Sequence, residues 1–223
     1  MKQLIYQVGT VIRKDLAVEM RSRERLIAML VFALIVILVF SFAFDLRVQD
    51  AAAVAPGVLW VTFSFAGMLG LGRSFVRERE DGCLDGLLLC PVDRSAIYVA
   101  KMVGNLLFIA LMEACTLPIF FALFNLALPP LLLVVILLGT IGFAAVGTLF
   151  AAMMAYARAR DLLLPVLFFP IVIPLLIAGV KLSAGLFDGQ PWSEINHWLH
   201  FMIAFDVILL VVSYLSFEYL VEE

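Results

Sequence analysis

From Leu26 to Phe44 the chain carries one polar side chain, Ser41, and no charge. A run of about 20 apolar residues is what a helix needs to cross the hydrocarbon core of a bilayer, where its backbone must be satisfied internally. Five similar runs follow, at Ala52–Gly72, Met102–Phe124, Leu131–Tyr156, Leu162–Val180 and Leu199–Val221. With 65% of residues hydrophobic and only 15% charged, against about 25% charged in an average soluble domain, a water-soluble fold is excluded. A transmembrane barrel is excluded by pattern, because barrel strands alternate apolar and polar residues whereas these runs are apolar on every face. The expected fold is all-α and polytopic: six spans in a single transmembrane domain over residues 1–223, with an interfacial helix over 1–25 and a cytoplasmic loop over 73–101.

The basic residues set the orientation. Six precede the first span (Lys2, Arg13, Lys14, Arg21, Arg23, Arg25), five follow the second (Arg73, Arg77, Arg79, Arg94, Lys101) and two follow the fourth (Arg158, Arg160). Only Arg47 and Lys181 fall in the loops of the other side, so both termini are expected in the cytoplasm. The first run is too long for the core of a cleaved secretory signal, and Asp45-Leu46-Arg47 separates it from Ala51-Ala52-Ala53, so a retained signal-anchor is expected. Cys83, Cys90 and Cys115 form no disulfide framework and are read as reduced thiols. No internal duplication is visible.

Two polar segments are candidates for partner contact. In residues 1–25, apolar side chains recur at Leu4, Ile5, Val8, Val11, Ile12, Leu16 and Met20, with Arg13, Lys14, Glu19 and Arg21 mostly on the other face. That spacing predicts an amphipathic elbow helix in the cytoplasmic interface, its cations near anionic headgroups. The stretch Arg73–Lys101 opens on mixed charge at Arg77, Glu78, Arg79, Glu80 and Asp81. Gly82, a short apolar turn over Leu84–Leu89 and Pro91 follow, and Asp93 or Ser95 is placed to cap the next span. The expected order is helix, break, short helix, break, helix. The short helix could cover membrane surface, or seat Leu84, Leu87, Leu88 and Leu89 in a groove of another protein.

Deep inside the spans, away from their ends, Glu113 and Asp206 are the acidic groups. Such groups avoid lipid and face the bundle or a cavity, either as hydrogen-bonded acids or as the lining of a subunit interface. Pro165, Pro170 and Pro174 fall in span five, where each removes a backbone hydrogen bond; they read as a static kink or as a compliant element. Span four carries small-residue rows, Gly147, Ala151 and Ala155 beside Thr140, Ala144, Thr148 and Ala152, suited to close helix approach. The two histidines, His197 and His200, lie beside Trp192 and Trp198. Histidine ligates haem, but Trp and His at a span boundary are also what an interfacial belt contains.

The run carried by Glu78, Arg79, Glu80, Gly82, Leu84, Asp85, Leu87, Leu88, Pro91, Arg94 and Lys101 resembles the coupling loop of ABC-2 type permeases. Ala55-Pro56-Gly57-Val58-Leu59-Trp60-Val61, the stretch Asp81–Pro91, and Leu164-Pro165-Val166-Leu167 through Pro170–Ile177 resemble more closely the CcmB family, permease-like subunits of the cytochrome c maturation complex. The resemblance implies a bacterial inner-membrane location and partners similar to the ATPase CcmA, the haem-handling subunit CcmC, the small subunit CcmD and the haem chaperone CcmE. It implies haem as a transported or neighbouring ligand rather than a firmly bound cofactor, with ATP on the partner. The sequence agrees on one point independently: no G-x-x-x-x-G-K-[ST] occurs, so a phosphate-cradling loop of that type is absent. No nucleic acid and no metal site are expected. The alternatives are an ABC-2 exporter of lipid, polysaccharide or drug, a structural scaffold, and an intramembrane enzyme, the last disfavoured because neither H-E-x-x-H nor G-x-S-x-G occurs.

Overall fold

The computed structural model describes residues 2–45, 51–74, 94–155 and 160–220. Among these there are seven helices and no strand: α1 (Lys2–Ser22), α2 (Glu24–Asp45), α3 (Ala51–Ser74), α4 (Arg94–Phe124), α5 (Pro130–Ala155), α6 (Arg160–Phe187) and α7 (Trp192–Leu220). Six, α2 to α7, are long and apolar enough to cross a membrane. The all-α expectation therefore holds, for the reason that produced it: in lipid only intrahelical hydrogen bonds can satisfy such segments.

α5 is the hub, packing against α3, α4, α6 and α7. Two thirds of the membrane-length windows of α3 and α5 are buried, against 17% in α2 and 22% in α7, which form the outer wall. The small residues of α5 explain its place. Ala144 and Thr148 are fully buried, and a side chain at Gly147 would collide with Leu71 of α3. These rows act as the close-approach surface that their spacing predicts.

Several helix edges depart from the sequence expectation. α4 begins at Arg94, ahead of the apolar run at Met102 and within the segment expected to cap it, and Ser95 lies inside the helix rather than capping it. Asp93 lies outside the described residues. α6 runs unbroken through Pro165, Pro170 and Pro174 and continues to Phe187, and α7 starts at Trp192 rather than Leu199. Polar side chains at a span's end do not stop a helix, because the interfacial zone tolerates both their charge and a helical backbone. Pro56 and Pro118 likewise sit within α3 and α4.

Two turns on the side away from α1, those after α4 and α6, close with the same device. Asn125 (φ 50°) and Gly189 (φ 65°) adopt the left-handed conformation after α4 and α6. The next amide in each case donates back to the last turn, Leu126 N to Phe121 O at 3.2 Å and Gln190 N to Gly185 O at 2.9 Å. That is the bonding of a Schellman cap. On the other side Arg23 (φ 54°) forms the corner between α1 and α2, and its carbonyl accepts the first bond of α2 from Ile27 N at 3.0 Å. The corner sends α1 across the bundle, where it packs far more on α4 than on its sequence neighbour α2.

Candidate functional site: the polar seam of α4

α1 forms as the amphipathic helix its spacing predicts. Val11 is buried, while Tyr6, Arg13, Lys14 and Val18 are exposed. Its inward face brings Asp15 to α4. Asp15 Oδ2 accepts from Lys101 Nζ at 2.8 Å, and Asp15 Oδ1 lies 3.2 Å from Lys14 Nζ. The Lys101 side chain is 3% exposed. Lys101 was expected to end a polar loop; it instead sits two turns inside α4, paired to the elbow helix. A lysine so deeply buried is retained only with a partner, and removing one member of a buried pair costs about 3–5 kcal/mol.

One turn further along α4, Asn105 joins two more helices. Its Oδ1 accepts from Arg25 Nη2 of α2 at 2.8 Å, and its Nδ2 donates to Thr148 Oγ1 of α5 at 2.8 Å. The Thr148 hydroxyl in turn donates to the Ala144 carbonyl at 2.7 Å. The Arg25 guanidinium also lies 4.9 Å from the centroid of the Phe108 ring. Hydrogen bonds to charged groups contribute about 1.5–3 kcal/mol and neutral ones about 0.5–1.5 kcal/mol, and apolar surroundings make an unpaired member costly.

Two turns beyond Asn105, Glu113 is buried, with its carboxyl oxygens 2.8 and 2.9 Å from Thr140 Oγ1 of α5. The same hydroxyl lies 2.8 Å from the Ile136 carbonyl. One hydroxyl proton cannot serve three oxygens. An acid proton on Glu113 would complete the set, Glu113 donating to Thr140 and Thr140 to Ile136. A cavity of about 10 Å³ borders this pair, lined by Trp60, Ser64, Glu113 and Thr140 among others. Beside it the Trp60 ring is held between Gly139 of α5 and Gly179 of α6, and its Nε1 donates to Ser183 Oγ at 3.0 Å.

Asp206 is buried on α7 and, among the described residues, no hydrogen bond reaches either of its carboxyl oxygens, which face Gly142 of α5 and neighbour Leu175 of α6. The two membrane acids are not brought together. Thr140 and Gly142, which meet them, are two residues apart on α5 and point to nearly opposite sides. The histidines do not converge on the bundle either. Both are exposed on the first turns of α7, where His197 lies against Trp198 with ring centroids 5.0 Å apart and His200 Nδ1 is 2.9 Å from the Asn196 carbonyl. Among the described residues no group of three or more His, Cys, Asp or Glu side chains could hold a metal ion.

Of the coupling-loop candidates, Arg77, Glu78, Arg79, Glu80, Asp81, Gly82, Leu84, Asp85, Leu87, Leu88 and Pro91 lie outside the described residues, and Arg94 opens α4. The sequence reading missed Asp15, Arg25, Asn105 and Ser183 as partners. The available signal was spacing: Lys101, Asn105 and Glu113 stand four and eight residues apart in an otherwise apolar helix, on one ridge.

Six membrane-length helices around a small-residue hub, with polar groups confined to interhelical seams, define a multi-pass α-helical membrane protein. The chain belongs to the CcmB family, whose profile, described as "CcmB protein", matches residues 6–222. It is 32% identical over 171 residues to "Heme exporter protein B" of Rhodobacter capsulatus, covering 76% of this chain and 78% of that protein. The protein of the same description in Pseudomonas aeruginosa is 31% identical over 182 residues, covering 81% and 82%. That of Escherichia coli K12 is 33% identical over 95 residues, 43% of each chain.

Proposed function

We propose that this chain is the permease-like membrane subunit of an ATP-driven complex that delivers haem for c-type cytochromes, set in the bacterial inner membrane with both termini cytoplasmic. The observation that carries the reading is the family match along residues 6–222, with relatives described as haem exporters. ATP hydrolysis belongs to a partner resembling CcmA, and this subunit is not itself catalytic. Its neighbours would resemble CcmC, CcmD and the haem chaperone CcmE.

In this reading the ATPase engages the loop from Arg77 to Arg94, with Leu84, Leu87 and Leu88 as apolar anchors, and the exposed face of α1 braces the contact. Haem need not pass through the bundle. The cavity beside Glu113 has a volume of about 10 Å³, which is room for roughly one water, and the wall around it is mainly apolar. A larger pocket of about 290 Å³ between α4 and α7, lined by Tyr98, Met102 and Tyr214 among others, offers no basic side chain to an anionic porphyrin, so we favour ATP-driven release of the haem-loaded chaperone from a neighbouring subunit over transit of haem.

The test is to delete the chain and stain membranes for covalently bound haem. Loss of c-type cytochromes, with an ATPase co-purifying with the wild-type chain and lost in Leu87→Arg or Leu88→Arg, is the expected result. Normal cytochromes in the deletion strain would refute the reading and return attention to export of a lipid, polysaccharide or drug.

A further inference from the structure

Counting by fours along α4 from Lys101 gives Asn105, Ile109 and Glu113, a single ridge of the helix. Each polar member of that ridge is bonded to another helix: Lys101 to Asp15 of α1, Asn105 to Arg25 of α2 and to Thr148 of α5, and Glu113 to Thr140 of α5. Ile109, the apolar member, lines the cavity beside Glu113. The ridge starts about 10 Å from the first residue of α4 and covers about 18 Å of its length. It reaches from the α1 side of the bundle to near mid-membrane.

Off this ridge, the buried Tyr98 hydroxyl adds one more bond to α5, donating to the Ala145 carbonyl at 3.0 Å, whereas Leu107, Leu111, Ile119 and Leu123 are exposed apolar side chains that fix no register. Buried hydrogen bonds and ion pairs fix one register, because a shift that breaks them leaves polar groups stranded in apolar surroundings. A ridge bonded at three levels to three helices is therefore the part of this bundle least able to slip.

We propose that Lys101, Asn105 and Glu113 are positioning residues that make α1, the base of α2, α4 and α5 move as one strut, carrying displacement of the loop before α4 to the centre of the membrane. The inference rests on the ATP-coupled reading above and identifies the part of the bundle that receives the stroke. α5 is the natural output. It contacts α3, α6 and α7, so a displacement delivered to Thr148 and Thr140 reaches every remaining span except the outer α2, which Arg25 already ties to the ridge.

The test compares Lys101→Asp, Asn105→Leu and the exchange Asp15→Lys with Lys101→Asp, each expressed in cells lacking the native chain. Three quantities are read: complex recovered with the ATPase, ATP hydrolysis per complex, and c-type cytochrome formed per complex. We expect Lys101→Asp and Asn105→Leu to lower cytochrome per complex at least tenfold while hydrolysis per complex stays within about twofold. The exchange should recover at least half of the lost yield. Wild-type yield per complex in both single variants overturns the proposal. So does a yield that falls only in proportion to the complex recovered, which would make the ridge a folding element, and so does an assembled exchange variant that stays uncoupled. Normal cytochromes in the deletion strain would instead defeat the parent reading, and that control is run first.

Discussion

Gly179→Ala is the sharpest probe of the interior, because the structure states what the new methyl group meets. A Cβ at Gly179 would lie 2.5 Å from Trp60 Cζ2 and 2.6 Å from Cε2, where ordinary contact is 3.4–4 Å. The ring must retreat by about 1 Å, yet Gly139 of α5 is already packed against its benzo ring and the bond to Ser183 holds its Nε1 edge. Overpacking of this kind costs about 1–3 kcal/mol, and a lost indole hydrogen bond adds about 0.5–1.5 kcal/mol. The alanine returns up to about 1 kcal/mol through helix propensity. The net expectation is a loss of about 1–3 kcal/mol, or roughly 2–12 °C in the unfolding midpoint at about 2–4 °C per kcal/mol. Unfolding is followed in detergent by loss of helical circular dichroism on heating, with size-exclusion recovery after heating as the second measure. The same methyl group placed opposite a smaller ring should be tolerated, so Trp60→Phe combined with Gly179→Ala should be more stable than the two separate losses add up to. An unchanged or raised midpoint in Gly179→Ala, or strict additivity in the double variant, refutes the account of Trp60 as a ring clamped between two glycines.

Three further outcomes follow from single sites. Thr140→Val leaves the buried Glu113 carboxyl without its hydroxyl partner and should cost about 1–3 kcal/mol; Glu113→Leu added to it should restore part of that loss, and a second loss of equal size would argue against the pair. Asn125 holds a left-handed conformation at φ 50° after α4, so Asn125→Val should lower stability by about 1–2 kcal/mol through strain while Asn125→Gly leaves it nearly unchanged. Equal behaviour of the two variants would contradict the cap. Because His197 and His200 are exposed on the first turns of α7 rather than gathered on the bundle, a variant with both changed to Ala should load the haem chaperone to the wild-type level; a several-fold drop with normal assembly would make them haem ligands after all.

The polar positions divide sharply by how far sequence could carry them. Glu113 and Asp206 were visible as functional candidates because an acid inside a span is costly wherever it faces. Their environments were not visible, since both lie in apolar helices, and yet one meets a hydroxyl while, among the described residues, no bond reaches the other. Lys101 was assigned to a loop because a cation beside other cations reads as interfacial. It is buried because α1 folds back over α4 and supplies Asp15, a contact between residues far apart in sequence. The Trp60–Ser183 bond was equally hidden, joining α3 to α6 through side chains that also occur as interfacial or incidental groups.

Hydrophobic length determined, without any tertiary information, that the described chain would be helical and would present six membrane-length segments, and apolar spacing determined the amphipathic helix ahead of them. The physical reason is local: a backbone in hydrocarbon must close its own hydrogen bonds, and length alone decides whether a helix can cross. Which polar groups meet was decided only by tertiary structure. When a helix is apolar on every face, the 3.6-residue period no longer marks an inner side, so neither its rotation nor its neighbours can be read from it. Those were set by the small residues of α5 and the left-handed corner at Arg23, which together bring Asp15, Arg25, Asn105 and Thr148 onto one seam.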